Sequence, residues 1–526
     1  MSIPEPNAAH SLNPDSLDWA LAHARGFGDT IFLPDAFEYQ AIHDQWSETR
    51  DWLAQQDIVK WQPRPWRRFL VNKSEVTFRY VTQLDPLEYL AFTALLLNVG
   101  PALEALRVPA DDRVVFSWRF AADSGGQMYD PRFEWTGFVD RCLELALQPE
   151  VEWVVVADIA DFFPRIYIHP VERALAAATS DPAAYCLLRM IRHWNAFVSY
   201  GLPVGIAGSR IIAEATIDDV DRTMIGRGDS YCRYADDIRV FCQTQADAHA
   251  ALEDLARALF EGHGLTLQPM KTEIVSAVEY RRRFALTPDR VEAESLTTKF
   301  HDLLERAELA EKYHEDIEYD DLPEEVREEI DQLNLREVFE EQIDANPLDL
   351  IVIRILLHRL GQLNIQVLDE VLDNLPRLAP VMDSVIRYLR HLRDLDEADR
   401  RAIGARIIGA CQADEASTYE QVCLLSLFTE SAEFDNENTF EQLERSVRDP
   451  AVKREITLAL GRAHKEHWLM QRRRDAGALD PWGRRAFYAA FSCVTPVPRN
   501  YYYRSLRGGA DVLDKAVIDW ASRNPF

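Results

Sequence analysis

RYADDIRVFC, residues 233–242, sets two adjacent carboxylates, Asp236 and Asp237, between short apolar runs. The stretch reads as strand, turn, strand, which pushes both acids out at a hairpin tip where neighbours do not neutralise them. Such a tip is a natural seat for a metal ion. Upstream, WVVVADIADFF (153–163) carries Asp158 at the end of another buried-looking strand, so a third carboxylate can reach the same ions. Hard Mg²⁺ prefers carboxylate oxygens to His or Cys, and the two motifs together point to two-metal phosphoryl transfer.

Outward from these motifs the pattern alternates. RRFLVNK (67–73), EVTFRYV (75–81) and RVVFSWRF (113–120) read as strands, separated by a leucine-rich helix at 87–106. Helices follow at 170–179 and 183–201, then a Gly-rich turn, one long helix at 209–226, the acidic hairpin, an amphipathic helix at 247–264 and a last β-rich pair. This alternation implies an α+β sheet backed by helices. After about residue 290 strand signals nearly vanish, and Leu, Glu and Arg recur at helical spacing. Segments 348–363, 365–392, 400–413 and 419–431 read as amphipathic helices in antiparallel pairs. A degenerate α-repeat array and a plain bundle both fit them. The predicted organisation is an N-terminal extension (1–60), an α+β domain (61–290) and an all-α region (291–526).

A chain of 526 residues is too long for one ordinary core. No run of about 18 uninterrupted apolar residues appears, and MSIPEPNAAH lacks the basic-then-apolar pattern of a secretion signal. A cytoplasmic protein with no membrane partner is expected. Seven cysteines without any C-x-x-C argue against a disulfide framework and a zinc site, leaving free buried thiols. A net charge of −29 runs against nucleic-acid binding, which rests on Lys and Arg. The charge is uneven, however: residues 301–346 hold 18 acidic against 4 basic side chains. Elsewhere basic groups stand out at Arg64, Arg67 and Arg68 beside Trp61 and Trp66, at Arg281 to Arg283, and at Arg472 to Arg474 with Arg484 and Arg485. Binding along these patches is expected, with the acidic segment facing elsewhere.

With four motifs in order, the chain resembles a reverse transcriptase, strongly over residues 150–275 and more weakly over 60–120. The resemblance implies a right-hand fingers and palm architecture, with the helical part as thumb. In DIADFF (158–163) it implies that Asp158 is a metal ligand, that the Ile159 carbonyl completes the shell, and that Phe163, beside Phe162, is the gate that clashes with a ribose 2′-hydroxyl. GLPVGIAGSR (201–210) is similar to the Gly-rich turn of the nucleotide floor, Gly205 and Ser209 included. YADD (234–237) supplies the other two catalytic carboxylates, Asp237 less directly than Asp236. In GLTLQPMKTEIV (264–275) Lys271 matches a lysine that protonates the leaving pyrophosphate. Arg79 resembles the arginine that holds the triphosphate, with Lys73 a second candidate. Asp161 either assists the triphosphate or caps the following turn. Mg²⁺ is the implied cofactor, with Mn²⁺ as substitute, and the implied substrates are dNTPs and nucleic acid.

Taken singly, each motif has a plain competitor: YADD as a solvated turn, GLPVGIAG as a helix entry, Lys271 as a surface lysine, the tryptophans as core. Two positions depart from the family pattern, Val204 where many relatives have Gln and Arg210 where they have Pro. No ribonuclease H, integrase, maturase or endonuclease-like segment is legible. GDTIFLPDAFEYQAI (28–42), VVFSWRFAADSGGQMYD (114–130) and the helical half are similar to the bacterial defence-associated, abortive-infection type of reverse transcriptase. That likeness implies phage defence, DNA made on a small noncoding RNA or without a template, priming from a protein hydroxyl in some members, and members that form homo-oligomers. Tyr501, Tyr502 and Tyr503 between Arg499 and Arg504 are a candidate priming site, or an interface cluster. The rival readings are a retron or group II-like enzyme making ordinary cDNA, a degenerate RNA-binding polymerase fold, and an RNA-dependent RNA polymerase, the last disfavoured by Phe163.

Overall fold

Helices in this chain repeatedly begin where Asp or Asn precedes Pro. Asn13, Asp85, Asp181, Asp449 and Asp480 each accept a backbone N–H from the first turn, and Pro14, Pro86, Pro182, Pro450 and Pro481 follow. The carboxylate or amide satisfies an orphan donor, and proline at the first helical position costs nothing because its N–H would be unpaired anyway. A computed structural model describes residues 3–74, 76–195, 198–284, 300, 319–322, 324–345, 348–412, 416–430, 434 and 439–526. The 290/291 boundary, and residues 301–318 of the acidic stretch, lie outside the described residues.

Two sheets occur among the described residues. An antiparallel ribbon pairs β1 (Arg67–Asn72) with β2 (Phe78–Gln83), Arg67 opposite Gln83 and Val71 opposite Arg79. A four-stranded antiparallel sheet has the order β4-β5-β3-β6, from β3 (Trp153–Asp158), β4 (Ser230–Tyr234), β5 (Asp237–Cys242) and β6 (Glu273–Ser276). Central β3 is flanked on both sides, and Val154, Val155 and Ala157 are fully buried.

Behind the ribbon and the sheet lie α1 (Pro14–Phe27), α2 (Glu38–Asp44), α3 (Pro86–Leu106), α4 (Trp135–Ala146), α5 (Ala207–Thr216) and α6 (Gln245–His263). By length and composition α3 could span a bilayer. Here, however, α1, α5 and the helices 168–178 and 182–194 pack around it, which makes it a core helix. In the second half, α7 (Leu350–Gln362), α8 (Met382–His391), α9 (Thr418–Glu430), α10 (Pro450–Arg462), α11 (Pro481–Ala490) and α12 (Val512–Arg523) form a row. Each helix of the row packs on the next, and α12 closes onto α2. Nearest-neighbour stacking of this kind is repeat-like rather than a bundle around one axis.

Buried charge ties residues 1–60 to the helical row, and the row in turn to the α+β region. Glu38 accepts from Arg454 (2.7 Å) and Arg485 (3.2 Å), Arg485 also faces Asp85 at 3.1 Å, and Arg64 bridges Asp85 (2.6 Å) and Asp511 (3.0 Å). Trp482 lies among these arginines, with the Arg67 guanidinium 4.0 Å and that of Arg485 4.8 Å from its ring. Breaking one member of such a buried pair strands the other and costs about 3–5 kcal/mol.

Several expectations need correction. Residues 113–120 make only an isolated parallel bridge, Val115 to Arg233, in place of a full strand: Arg113 and Trp118 are left-handed, and Arg119 donates back to the Val115 and Val108 carbonyls. The long helix at 209–226 breaks at Ile217, where Thr216 bonds back to the Ile212 carbonyl (2.6 Å) and Asp218 accepts the Val108 N–H (2.7 Å). Arg281 to Arg283 lie on a helix, Ala277–Phe284, not a strand. Arg282 and Arg283 are engaged by Glu279, and Arg281 by the Ala146 carbonyl. Arg64 and Arg485 are likewise internal, and Trp61 is buried with its indole N–H on Glu88 (2.6 Å). Arg64, Arg485 and Trp61 hold the fold together and offer little to a nucleic-acid backbone, whereas Arg282 and Arg283 stay at the surface. All seven cysteines are free thiols, six of them buried.

Candidate active site

The acidic hairpin turns through Ala235 and Asp236, so Tyr234 and Asp237 form its last cross-strand pair. Ala235 is left-handed, at a φ of 54°, a conformation that disfavours residues with a Cβ. The Ser117 hydroxyl accepts its N–H (2.9 Å), and Arg233 donates to its carbonyl (2.9 Å). Arg233 is itself fully buried between Glu214 and Asp221. The turn is therefore fixed from beneath by an internal ion network.

Register brings the third acid in. Asp158, the last residue of β3, sits directly opposite Asp237 in the ladder, and the Ile159 N–H donates to the Asp236 carbonyl at 3.0 Å. The segment 264–271 is then laced to the end of β3: Ala160 N–H donates to the Thr266 carbonyl and Gln268 N–H to the Asp158 carbonyl. This lacing brings Lys271 Nζ to 2.9 Å from Asp158 Oδ2. Asp158, Asp236 and Lys271 thus converge with Asp237, although the chain separates Asp158 from Lys271 by 113 positions.

The acids are less open than expected. Asp158 and Asp236 are buried rather than projecting, and Asp237 has Arg239 at 3.5 Å. Burial and the charge of Asp158 push the Asp237 carboxyl up to about 6, against the pull of Arg239. Burial alone would lower Lys271, but its bond to Asp158 and the nearby acids outweigh that and hold its ammonium above the ordinary value. Lys73 is held below its ordinary value by partial burial and the cations Arg79 and Lys271, while Asp236 and Asp158 act the other way. Lys73 on the ribbon therefore senses the same field as the acids. Arg79 packs over the Phe32 ring at 5.5 Å and, with Lys73, lines a small hollow.

Around this centre the remaining candidates separate. Phe162 is buried, while Phe163 is half-buried with its ring 5.7 Å from Trp118 and 5.2 Å from Phe162. Asp161 is left-handed and exposed, with no side-chain cap on the short helix that follows, so the capping role is not made. Gly205 has φ +96°, and a Cβ there would lie 2.6 Å from the Thr30 hydroxyl. Glycine is thus required by both conformation and space. Ser209 is buried within α5. Far along the chain, Tyr501 is exposed, but Tyr502 and Tyr503 are buried and donate to the Arg473 and Tyr488 carbonyls. Only Tyr501 of that trio offers a surface hydroxyl.

Motif reading missed Trp118. It is left-handed at φ 42°, lies between Phe163 and Tyr234 (6.0 Å), and carries the Arg210 guanidinium 5.0 Å from its ring. Its only signal in the sequence is position, within the stretch that precedes the sheet.

The donor set suits a hard divalent cation: carboxylate oxygens with no His or Cys among them. Among the described residues, no three His, Cys, Asp or Glu side chains converge closely enough to hold an ion as they stand. Lys271 meets Asp158 instead, and the Asp158–Asp237 repulsion is the kind a cation relieves.

A search of curated proteins found no match. A family model described as reverse transcriptase (RNA-dependent DNA polymerase) matches residues 122–301, a span that contains all three acids, the Gly-rich turn and Lys271. The chain therefore carries a reverse transcriptase domain in this span, and with it an RNA-directed DNA polymerase, a nucleotidyltransferase.

Proposed function

We propose that the protein polymerises dNTPs by two-metal catalysis in antiphage defence, on an RNA template or without one. The observation that carries this reading is the ladder register that sets Asp158 opposite Asp237 with Asp236 in the adjoining turn. In this reading Asp158, Asp236, Asp237 and the Ile159 carbonyl would hold Mg²⁺, or Mn²⁺ in its place. When bound, such ions activate the attacking 3′-hydroxyl and stabilise the leaving diphosphate. Lys271 leaves Asp158 to hold its proton at Nζ for the departing phosphate oxygen. Arg79 and Lys73 on the ribbon neutralise the triphosphate, as arginine forks and ammonium groups do. Phe163, braced by Trp118, excludes a 2′-hydroxyl. The ribbon and sheet act as fingers and palm, and the helical row serves as thumb and scaffold.

The defence role is supported by the likeness of residues 28–42, 114–130 and the helical half to that group. A cytoplasmic location and assembly with a small RNA or further copies of the chain belong to the same reading. If a protein hydroxyl primes synthesis, Tyr501 is its exposed candidate.

Purified protein with labelled dNTPs and Mg²⁺, before and after ribonuclease, tests the proposal. Incorporation is expected, and label that stays on protein after boiling identifies protein priming. No incorporation with any of the four dNTPs, with Mg²⁺ or Mn²⁺, would favour the degenerate RNA-binding fold instead.

A further inference from the structure

One helix holds Trp118 by both its ring and its backbone. In α5, Arg210 and Glu214 stand four residues apart and so share a face. The Arg210 guanidinium lies 5.0 Å from the centre of the Trp118 ring, within reach of a cation–π attraction. Glu214, fully buried, accepts from Arg107 at 3.0 Å, and Arg107 donates onward to the Trp118 carbonyl (3.0 Å) and the Ser117 carbonyl (2.8 Å). On its far side α5 is pressed against α3, since a Cβ on Gly208 would lie 2.7 Å from Phe92 and Leu96.

These ties work against a cost. Trp118 is left-handed at φ 42°, a conformation that a residue with a Cβ keeps only where its surroundings over-determine it. The indole is only half-buried, so the pose is not set by the demands of a closed core. What it achieves is placement: the ring meets Phe163 at 5.7 Å and Tyr234 at 6.0 Å. Arg210, Trp118 and Phe163 therefore stand in series, from the helix that follows the Gly-rich turn to the ring beside the acids.

We propose that Arg210 is a positioning residue for sugar selection, holding the Trp118 ring so that the Phe163 ring cannot yield to a 2′-hydroxyl. The inference rests on the reading of Phe163 as the gate. Arg210 acts through two rings, and no contact with the sugar or a metal ion is assigned to it. Without its charge the indole can turn while Arg107 and Glu214 still hold the backbone beneath, so the loss falls on discrimination between sugars and not on the fold of the loop.

The test is competing incorporation of each dNTP against its rNTP by the full chain, with dATP and ATP binding measured by calorimetry in Ca²⁺, which needs no turnover. Arg210→Met, close to arginine in length but uncharged, should narrow the preference for dNTPs about three-fold, the scale of a half-exposed cation–π contact. Arg210→Lys keeps a cation over the ring and should stay near the wild-type ratio. Added to Phe163→Ala, Arg210→Met should change nothing further, because the two act in one chain of contacts. Thermal melts confirm that each variant is folded, and Arg210→Gln replaces Arg210→Met if that one is not. An unchanged ratio in Arg210→Met, a fall as large in Arg210→Lys, or an additive loss on Phe163→Ala would each overturn the role of Arg210 and leave the polymerase reading standing. Wild-type protein that binds dATP in preference to ATP without incorporating it would overturn the polymerase reading alone, and the same ratios would then be read from binding. Wild-type protein with no preference for the deoxy sugar in either measurement would overturn both the gate and its support.

Discussion

The four-stranded sheet and the junction where the helical row closes onto residues 1–60 both bury charge, but they settle it in opposite ways. At the junction, acids are matched by guanidinium groups: Glu38 by Arg454 and Arg485, Asp85 by Arg64 and Arg485. At the sheet, register sets one acid against another, and the lysine that compensates is half-exposed and held by a single contact. Matched charge is structural cement, whereas like charges forced together by a ladder perturb each other's ionisation and mark a candidate functional site.

The largest expected effect tests the sheet side. Changing Asp158 or Asp236 to Ala should lower dNTP incorporation by about a thousand-fold or more, the scale of losing an electrostatic contact made in the transition state, with the melting temperature nearly unchanged. A variant that keeps a tenth of the activity would erase the contrast. On the junction side, Arg485→Ala should cost about 3–5 kcal/mol in denaturant unfolding, because Glu38 and Asp85 lose a buried partner. A loss below about 1 kcal/mol would mean that the network adds little.

A third prediction uses acids at the edge of the junction. Burial pushes Glu88 and Asp29 up to about 7. The folded chain then keeps protons that the unfolded chain has already lost at this pH. Stability is full near pH 4 to 5 and falls as pH rises through 7, by at most about 3 kcal/mol for Glu88. Unfolding of Glu88→Gln across pH 5 to 8 should show a shallower slope, and an identical slope would contradict the assignment. The smallest effect is at the gate: Phe163→Ala should narrow the preference for dNTPs over rNTPs about ten-fold, measured by competing incorporation. Trp118→Ala should narrow it less, since Trp118 reaches the gate through the Phe163 ring.

The aspartates were legible as carboxylates set at the ends of short apolar runs, while Gly205 and Lys271 stood out only through the resemblance to reverse transcriptases, whose motifs come in a fixed order. Trp118 does not stand out, since its importance lies in a left-handed backbone and in neighbours distant in the chain. The arginine clusters misled for a related reason. Composition records that Arg64, Arg67 and Arg485 are cations but not that Glu38, Asp85 and Asp511 return to meet some of them. Period-2 apolar runs located β1 to β5, yet RVVFSWRF has the same pattern and makes only an isolated bridge, because Arg119 turns back on its own carbonyls. Helical spacing told that the second half is all-α, while the order of helix on helix came only from the packing.

The contact between Glu38 and Arg454 spans 416 positions. During synthesis residue 38 leaves the ribosome long before its partner exists, so an acidic side chain destined for the interior must wait in water until residue 454 has been made. A nascent chain halted before α10 would contain every motif of the reverse transcriptase domain, yet the base of its ribbon would lack its anchor. Synthesis through α10 and α11 would thus have to precede a fully anchored ribbon.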